Sequence, residues 1–282
     1  MANTLFYRAA DLKEACVLLS QYGKKAKILA GGTDLMVAIN RKLLLPEILV
    51  YIGNCGLDYI RVEGDSLIIG AMTNHASIVR STLVKEKAPL LLEATKYIGS
   101  PSIRNMGTIG GNLVNASPAA DAGTALLALG AKLNLVSVSG VRQVKVEEFF
   151  TGPGKTVLKP SEILQEVLIP SQNENSKWAW YKLGKRKSDI CSVISVAISI
   201  EIEGNLCRFA RIALGAVAPV PLLAKRAGSL LERQNIDKTL ITKAAKAASE
   251  ETTPIDDVRA TAWYRRKVSE TLVKRLLSQI LE

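Results

Sequence analysis

Residues 25–40 read KAKILAGGTDLMVAIN, and the hydrophobic period changes partway through. Ile28, Leu29 and Ala30 form a short apolar run. Gly31 and Gly32 interrupt it, and after Thr33 and Asp34 the apolar residues Leu35, Met36, Ile39 and Leu43 recur at helical spacing. This predicts a strand, a sharp turn and a helix running to about Leu44. Just upstream, Leu12, Ala15, Cys16, Leu19 and Tyr22 make one helical stripe. Asp11 stands as its cap with Glu14 three residues on, and Gly23 stops it. A strand over Ile48 to Ile52 completes an N-terminal α/β unit, residues 1–55.

A second unit, 56–172, alternates again. "DSLIIGAMT" and "KLNLVSV" read as strands, as does "EILQEVLIP", while "LVKEKAPLLLEATKYIG" and "AGTALLALGA" carry helical spacing. Between the two helical stretches, "PSIRNMGTIGGNLVNASPAAD" reads as a long loop. "PSQNENSK" at 170–177 is the most linker-like stretch in the chain. The third unit, 176–282, has strands around Trp178 to Leu183, Ser192 to Ile202 and Phe209 to Val217, with "EGN" as a hairpin turn. Three helical stretches follow. In the last, Val268, Leu272, Leu276 and Ile280 form a stripe that packs on its own domain. Mixed strands and helices throughout give an α+β fold.

Composition narrows the chemistry. At 282 residues, 48% hydrophobic and 22% charged, the chain can bury several cores. Arg8, Asp11, Lys13 and Glu14 exclude a secretory apolar segment near the start. The apolar run from Ile190 to Ile200 is too short to span a bilayer, so a soluble, cytoplasmic protein is expected. Cys16, Cys55, Cys191 and Cys207 are scattered without a CxxC pair, which argues against zinc, iron–sulfur and disulfide frameworks. His75 is the single histidine, so a multi-histidine metal site is excluded. The net charge of +11 is spread out, its densest group running from Lys182 to Lys187. Such a surface suits an anionic cofactor, an anionic substrate or an acidic partner as well as nucleic acid. "TGPGKT" at 151–156 looks like a P-loop tail, but Phe149 stands where that motif requires glycine.

Two glycine-rich segments carry the chemistry. Gly31 and Gly32 precede a helix start, where backbone N–H groups point outward and an anion such as phosphate can approach. An ordinary strand–helix turn would account for this corner equally well. The 99–121 segment carries Gly107, Gly110 and Gly111, followed by Asn112, Asn115 and Ser117, with Asp121 opening the next helix. Glycines permit close approach of a ligand, and amides and hydroxyls read its polar edges. Together the two segments suit a long ligand with a diphosphate and a flat ring.

"AGGTDL" at 30–35 and "TIGGNLVNASPAAD" at 108–121 resemble the two flavin-binding motifs of the FAD-binding subunit of molybdenum hydroxylases, relatives of xanthine dehydrogenase and carbon monoxide dehydrogenase. The resemblance extends to "GPGKTVLKPSEIL", "YKLGKRKSDI" and "RIALGAVAPVPLLAKRA" and so spans nearly the whole chain. It implies two subdomains that clasp FAD, of the vanillyl-alcohol-oxidase-like type, followed by a C-terminal domain with a three-stranded sheet and helices. It also implies roles. Ile28, Leu29, Ala30, Gly31, Gly32, Thr33, Asp34 and Leu35 would cradle the diphosphate, with Asp34 capping the helix or holding a ribose-side hydroxyl. Thr108, Ile109, Gly110, Gly111 and Asn112 would continue the cradle, and Val114, Asn115 and Asp121 would lie along the ribityl and ring side. Ile98, Ile163 and Leu164 would flank the isoalloxazine, and the Lys182 cation would stabilise the reduced ring.

The resemblance further implies partners: a [2Fe–2S] iron–sulfur subunit and a large molybdopterin subunit, assembled as a dimer of heterotrimers, with NAD⁺ as electron acceptor. One family branch carries an extra iron–sulfur insertion in this subunit; no such cysteine group occurs here, so flavin alone is expected. Ile98 is aliphatic where animal enzymes have an aromatic. "TGPGKT" looks most like the xanthine-type branch, with carbon monoxide, nicotinate and aldehyde hydroxylases as alternatives. Two rival readings remain: a basic nucleic-acid-binding protein using Lys182 to Lys187, and a stand-alone flavin oxidase with its own substrate pocket.

Overall fold

A computed structural model describes residues 4–186 and 191–281. The end of "YKLGKRKSDI", with Lys187, and the Ile190 start of the apolar run lie outside the described residues. The first unit runs β1 (Leu5–Arg8), α1 (Leu12–Tyr22), β2 (Ala26–Leu29), α2 (Leu35–Asn40) and β3 (Ile48–Tyr51), with β3 between β1 and β2 in a parallel sheet. Asp11 Oδ1 accepts from Glu14 N at 2.8 Å, and Glu14 Oε2 accepts from Ala10 N at 2.7 Å, one residue before the position a capping box would use. The α1 stripe closes a core of Ala15, Cys16, Leu19, Ile48 and Val50. Helix α2 ends at Asn40, short of Leu44, and Lys42 adopts a positive φ of 57°.

The second unit begins with β4 (Ile60–Glu63) and β5 (Ser66–Gly70), then six short helices: α3 (His75–Arg80), α4 (Thr82–Lys87), α5 (Pro89–Lys96), α6 (Pro101–Met106), α7 (Ile109–Asn115) and α8 (Asp121–Ala128). Pro89 divides the expected single helix over 83–99, because its ring cannot continue α4 yet suits the first position of α5. Next come β6 (Lys132–Ser137), β7 (Gly140–Lys145), α9 (Val146–Phe149), β8 (Phe150–Gly152), β9 (Lys155–Thr156) and β10 (Ile163–Pro170). The main sheet has the order β4-β5-β10-β6-β7, so the last strand in sequence sits in the centre. Its core takes in α5, α7 and α8 through Leu90, Leu91, Leu113, Leu126 and Leu127.

The third unit holds β11 (Ser176–Leu183), β12 (Ile194–Glu203), β13 (Leu206–Gly215) and β14 (Leu222–Leu223) in one antiparallel sheet, so a fourth short strand joins the expected three. Helices α10 (Lys225–Leu231), α11 (Lys238–Glu250) and α12 (Ala262–Leu281) cover one face, and Leu272, Leu276 and Ile280 are buried there. Ala197 and Ala213 belong instead to the second unit's core, so the opposite face of the sheet is seated on the second unit. No helix among the described residues is long and apolar enough to cross a membrane.

Candidate functional site

The corner after β2 is built against the second unit. A Cβ at Gly31 would lie 1.9 Å from the Met106 carbonyl oxygen and 3.2 Å from Gly107 Cα, so only glycine lets these backbones meet. Gly32 turns the chain with a φ of 74°, a conformation that L side chains rarely adopt. Thr33 Oγ1 and His75 Cδ2 both lie 3.4 Å from the point where a side chain on Gly107 would begin. Ile28, Leu29, Ala30, Gly31, Gly32, Thr33 and Leu35 are half-buried, while Asp34 is exposed. Asp34 occupies the cap position of α2 without making the capping hydrogen bond, so that half of its expected role is not realised.

The expected long loop over 101–121 is instead two helices joined by an extended Gly107. Ser100 Oγ accepts from Ile103 N at 3.3 Å, Pro101 opens α6, and Thr108 Oγ1 accepts from Gly111 N at 3.0 Å to cap α7. Helices of six and seven residues are too short to display a hydrophobic period, and two glycines lower the propensity of α7 further. The sheet holds the segment in place: Ile109 N donates to Thr73 O at 3.0 Å and Gly110 N to Ala71 O at 2.9 Å. A Cβ at Gly110 would lie 2.6 Å from Ala71 Cβ. At Gly111 it would meet only the Thr108 hydroxyl, at 3.0 Å.

Beyond α7, Ala116 takes a left-handed φ of 48°. Its carbonyl accepts from Gly154 N at 3.0 Å, and the Pro118 carbonyl accepts from Ala216 N at 2.8 Å. The "TGPGKT" hairpin and the "RIALGAVAP" strand end therefore brace this turn. Thr108, Ile109 and Gly110 are buried, Gly111, Asn112 and Val114 half-buried, and Asn115 exposed. Asn112 Oδ1 is buried with no partner in the protein, an acceptor at the glycine corner that suits a ligand hydroxyl or N–H.

Asp121 opens α8 and is 3% exposed. Lys182 Nζ, from β11, donates to Asp121 Oδ2 and to the Tyr97 carbonyl, both at 2.7 Å. Ser192 Oγ donates to Asp121 Oδ1 at 2.7 Å. Burial pushes the Asp121 carboxyl up, while Lys182 and Ser192 pull it back toward the charged form. Neither Ser192 nor the Tyr97 carbonyl is legible in the sequence, since a serine two residues before a serine-rich strand carries no signal. Arg104 donates to the carbonyls of Ile98 at 3.0 Å and Gly99 at 2.9 Å, which fixes the backbone at Ile98. Ile98 is half-buried against the second core. Ile163 and Leu164 point to opposite sides of β10, Ile163 into the first unit's core and Leu164 into the second's, so the pair does not face a single ring. His75 is 2% exposed, its Nδ1 has no partner, and burial, with Arg104 nearby, holds its imidazole down at about 4.

Gly31 packed backbone to backbone on Met106 and Gly107, the unpartnered Asn112 acceptor and the buried Asp121–Lys182 pair are the kinds of groups a dinucleotide-type cofactor site uses. Residues 2–172 match the FAD binding domain in molybdopterin dehydrogenase, and residues 179–280 match the CO dehydrogenase flavoprotein C-terminal domain. The chain belongs to the FAD-binding subunits of the molybdenum hydroxylase family: it is an oxidoreductase component, and its cofactor is FAD. It is 34% identical over 275 residues to the carbon monoxide dehydrogenase medium chain of Afipia carboxidovorans, covering 97% of this chain and 95% of the relative. It is 35% identical over 290 residues to the nicotinate dehydrogenase FAD-subunit of Eubacterium barkeri, covering 100% and 97%. A solved carbon monoxide dehydrogenase from Hydrogenophaga pseudoflava superposes with a TM-score of 0.95 at 34% identity, covering 99% of this chain and 97% of that one. A xanthine dehydrogenase FAD-binding subunit from Escherichia coli is more distant, at 30% identity over 279 residues, covering 97% and 94%.

Proposed function

We propose that this chain is the flavin subunit of a multi-subunit cytoplasmic hydroxylase, assembled with an iron–sulfur [2Fe–2S] subunit and a molybdopterin-binding large subunit as a dimer of heterotrimers. Bound FAD supplies the redox chemistry, taking electrons from the iron–sulfur partner and passing them to NAD⁺. In this reading units 1–55 and 56–172 clasp the cofactor, and unit 176–282 closes the ring side through Lys182. The backbone N–H groups of 28–35 hold the diphosphate, and the 108–112 segment borders it through its glycine surface, because the N–H groups of Ile109, Gly110, Gly111 and Asn112 are already donated to Thr73, Ala71 and Thr108. Asn112, Val114, Asn115 and Asp121 follow the ribityl chain and ring. Ile98 and Leu164 face the ring, with Ile163 behind them.

The observation that carries the reading is the meeting of Gly31 with Met106 and Gly107, which seats the strand–glycine–helix corner of the first unit against the second glycine segment, whose Asn112 Oδ1 is unpartnered. For the acceptor, support comes from a cavity of about 480 Å³ lined by Lys185, Arg259, Trp263 and Tyr264, cationic and aromatic groups suited to a nucleotide. The hydroxylated substrate lies with the partner. Carbon monoxide and nicotinate types are favoured by the relatives above, with the xanthine and aldehyde types beside them. An absorption spectrum of the purified chain tests the cofactor, and anaerobic NADH tests the acceptor. A flavin spectrum that bleaches supports both, and an oxidised flavin that ignores NADH removes the acceptor assignment. A colourless chain that takes up no supplied FAD overturns the reading, and isolation of the untagged native protein without two further subunits overturns the assembly.

A further inference from the structure

Asp121 and Lys182 are joined to the third unit by a continuous polar chain. Ser192 Oγ donates to Asp121 Oδ1 at 2.7 Å, and Arg259 NH1 donates to the Ser192 carbonyl at 3.4 Å. Arg259 is itself held by Asp257, through Nε at 3.0 Å and NH2 at 2.5 Å, and Arg265 NH2 grips the other Asp257 oxygen at 2.6 Å. Ser192 and Arg265 are almost wholly buried, at 0% and 2% exposure, while Asp257 and Arg259 between them are half-buried. The polar chain crosses from the loop before α12 to the start of α8. It ends at Lys182, whose ammonium also holds the Tyr97 carbonyl next to Ile98.

We propose that Ser192, held by Arg259, is a positioning residue that keeps Asp121 ionised against Lys182 and thereby sets the charge presented to the flavin ring. This rests on the FAD placement proposed above. A buried carboxylate keeps its charge only through donors and an opposite charge. Asp121 accepts from the Ser192 hydroxyl on Oδ1 and from the Lys182 ammonium on Oδ2, and the nearby Ser195 hydroxyl also favours its charged form. Removing the hydroxyl raises the proton affinity of Asp121 and weakens the counter-charge on Lys182. The freed positive charge then favours the reduced, more negative ring over the oxidised one.

The test is Ser192→Ala in the full chain loaded with FAD, with Ser192→Thr as the conservative variant. Loss of one hydrogen bond to the charged Asp121 frees positive charge at Lys182 and tightens binding of reduced FAD by about tenfold. Binding of oxidised FAD is unchanged, so the midpoint potential rises by about 30 mV, the two-electron equivalent of tenfold. Ser192→Thr restores both, and Arg259→Gln moves both in the same direction by about threefold, since its bond is longer and indirect. A merely structural role weakens both redox forms equally and leaves the potential unmoved; that result overturns the proposal, as does a Ser192→Ala chain indistinguishable from wild type. A wild-type chain that takes up no FAD overturns the functional reading as well, which separates the two failures.

Discussion

The two glycine corners use the same sequence device and are held in different ways. Around Gly31 the first unit is thin: Met36, Val37, Leu43 and Leu45 are exposed, and the corner meets the second unit at the backbone of Met106 and Gly107. The Gly110 corner is pinned from several sides, by Ala71 and Thr73 just beyond β5, by Gly154 and Ala216 at the following turn, and by Lys182 and Ser192 at Asp121. Each corner also has one glycine required by close approach, Gly31 or Gly110, and a second with a different reason. Gly32 is needed for its left-handed turn, whereas a Cβ at Gly111 would meet only the Thr108 hydroxyl, at 3.0 Å. Glycine at a cradle therefore has three separate causes, which mutation can separate.

The largest effect is expected where the second corner is anchored by charge. Lys182→Met leaves Asp121 buried without its partner and costs about 3–5 kcal/mol of stability, read as a lowered urea midpoint. Adding Asp121→Asn returns part of that loss; a double variant as unstable as the single one would show that the pair is not the anchor. Next is Gly31→Ala. Its Cβ meets a backbone oxygen that cannot rotate away, so the junction opens at a cost of about 3 kcal/mol and FAD retention is lost. If Gly31→Ala behaves as wild type, the two corners do not meet as described.

His75, between the corners, gives a pH signature. Its folded value of about 4 lies below the ordinary 6.5, so the folded state binds fewer protons than the unfolded one. Stability is full above pH 6.5 and drains as pH falls toward 4, by about 2 kcal/mol between pH 7 and pH 5. His75→Gln should flatten that part of the stability profile; an unchanged slope would mean the imidazole is not held neutral by burial. The smallest effect on folding is at Gly111→Ala. There a better helix residue offsets the tight Thr108 contact, and the unfolding free energy from urea titration shifts by less than about 0.5 kcal/mol. FAD affinity should nonetheless drop about tenfold, because the added methyl enters the cradle. Equal losses in stability and affinity would instead make Gly111 a packing glycine like Gly110.

The parts legible in the sequence are those whose causes are local. The stripe of α1 with its Asp11 cap, the strand, Gly-Gly corner and helix of β2–α2, and the long C-terminal helix each carry their own period and punctuation. Helices α6 and α7 were hidden because six or seven residues show no period, and the hairpin strand β7 because Arg142 and Gln143 interrupt its alternation. The family resemblance located both glycine segments and Lys182 but not what Lys182 touches. By itself, then, the sequence determined the local elements, the flavin motifs and the glycines at the corners. Tertiary structure alone decided that Gly31 meets Met106, that Ile163 and Leu164 serve different cores, and that Asp121 is paired with Lys182 and Ser192. Those partners lie 61 and 71 residues away along the chain. The physical reason is range: periodicity and capping act within a few residues, while close approach and desolvated charge pairing exist only once distant segments are packed together.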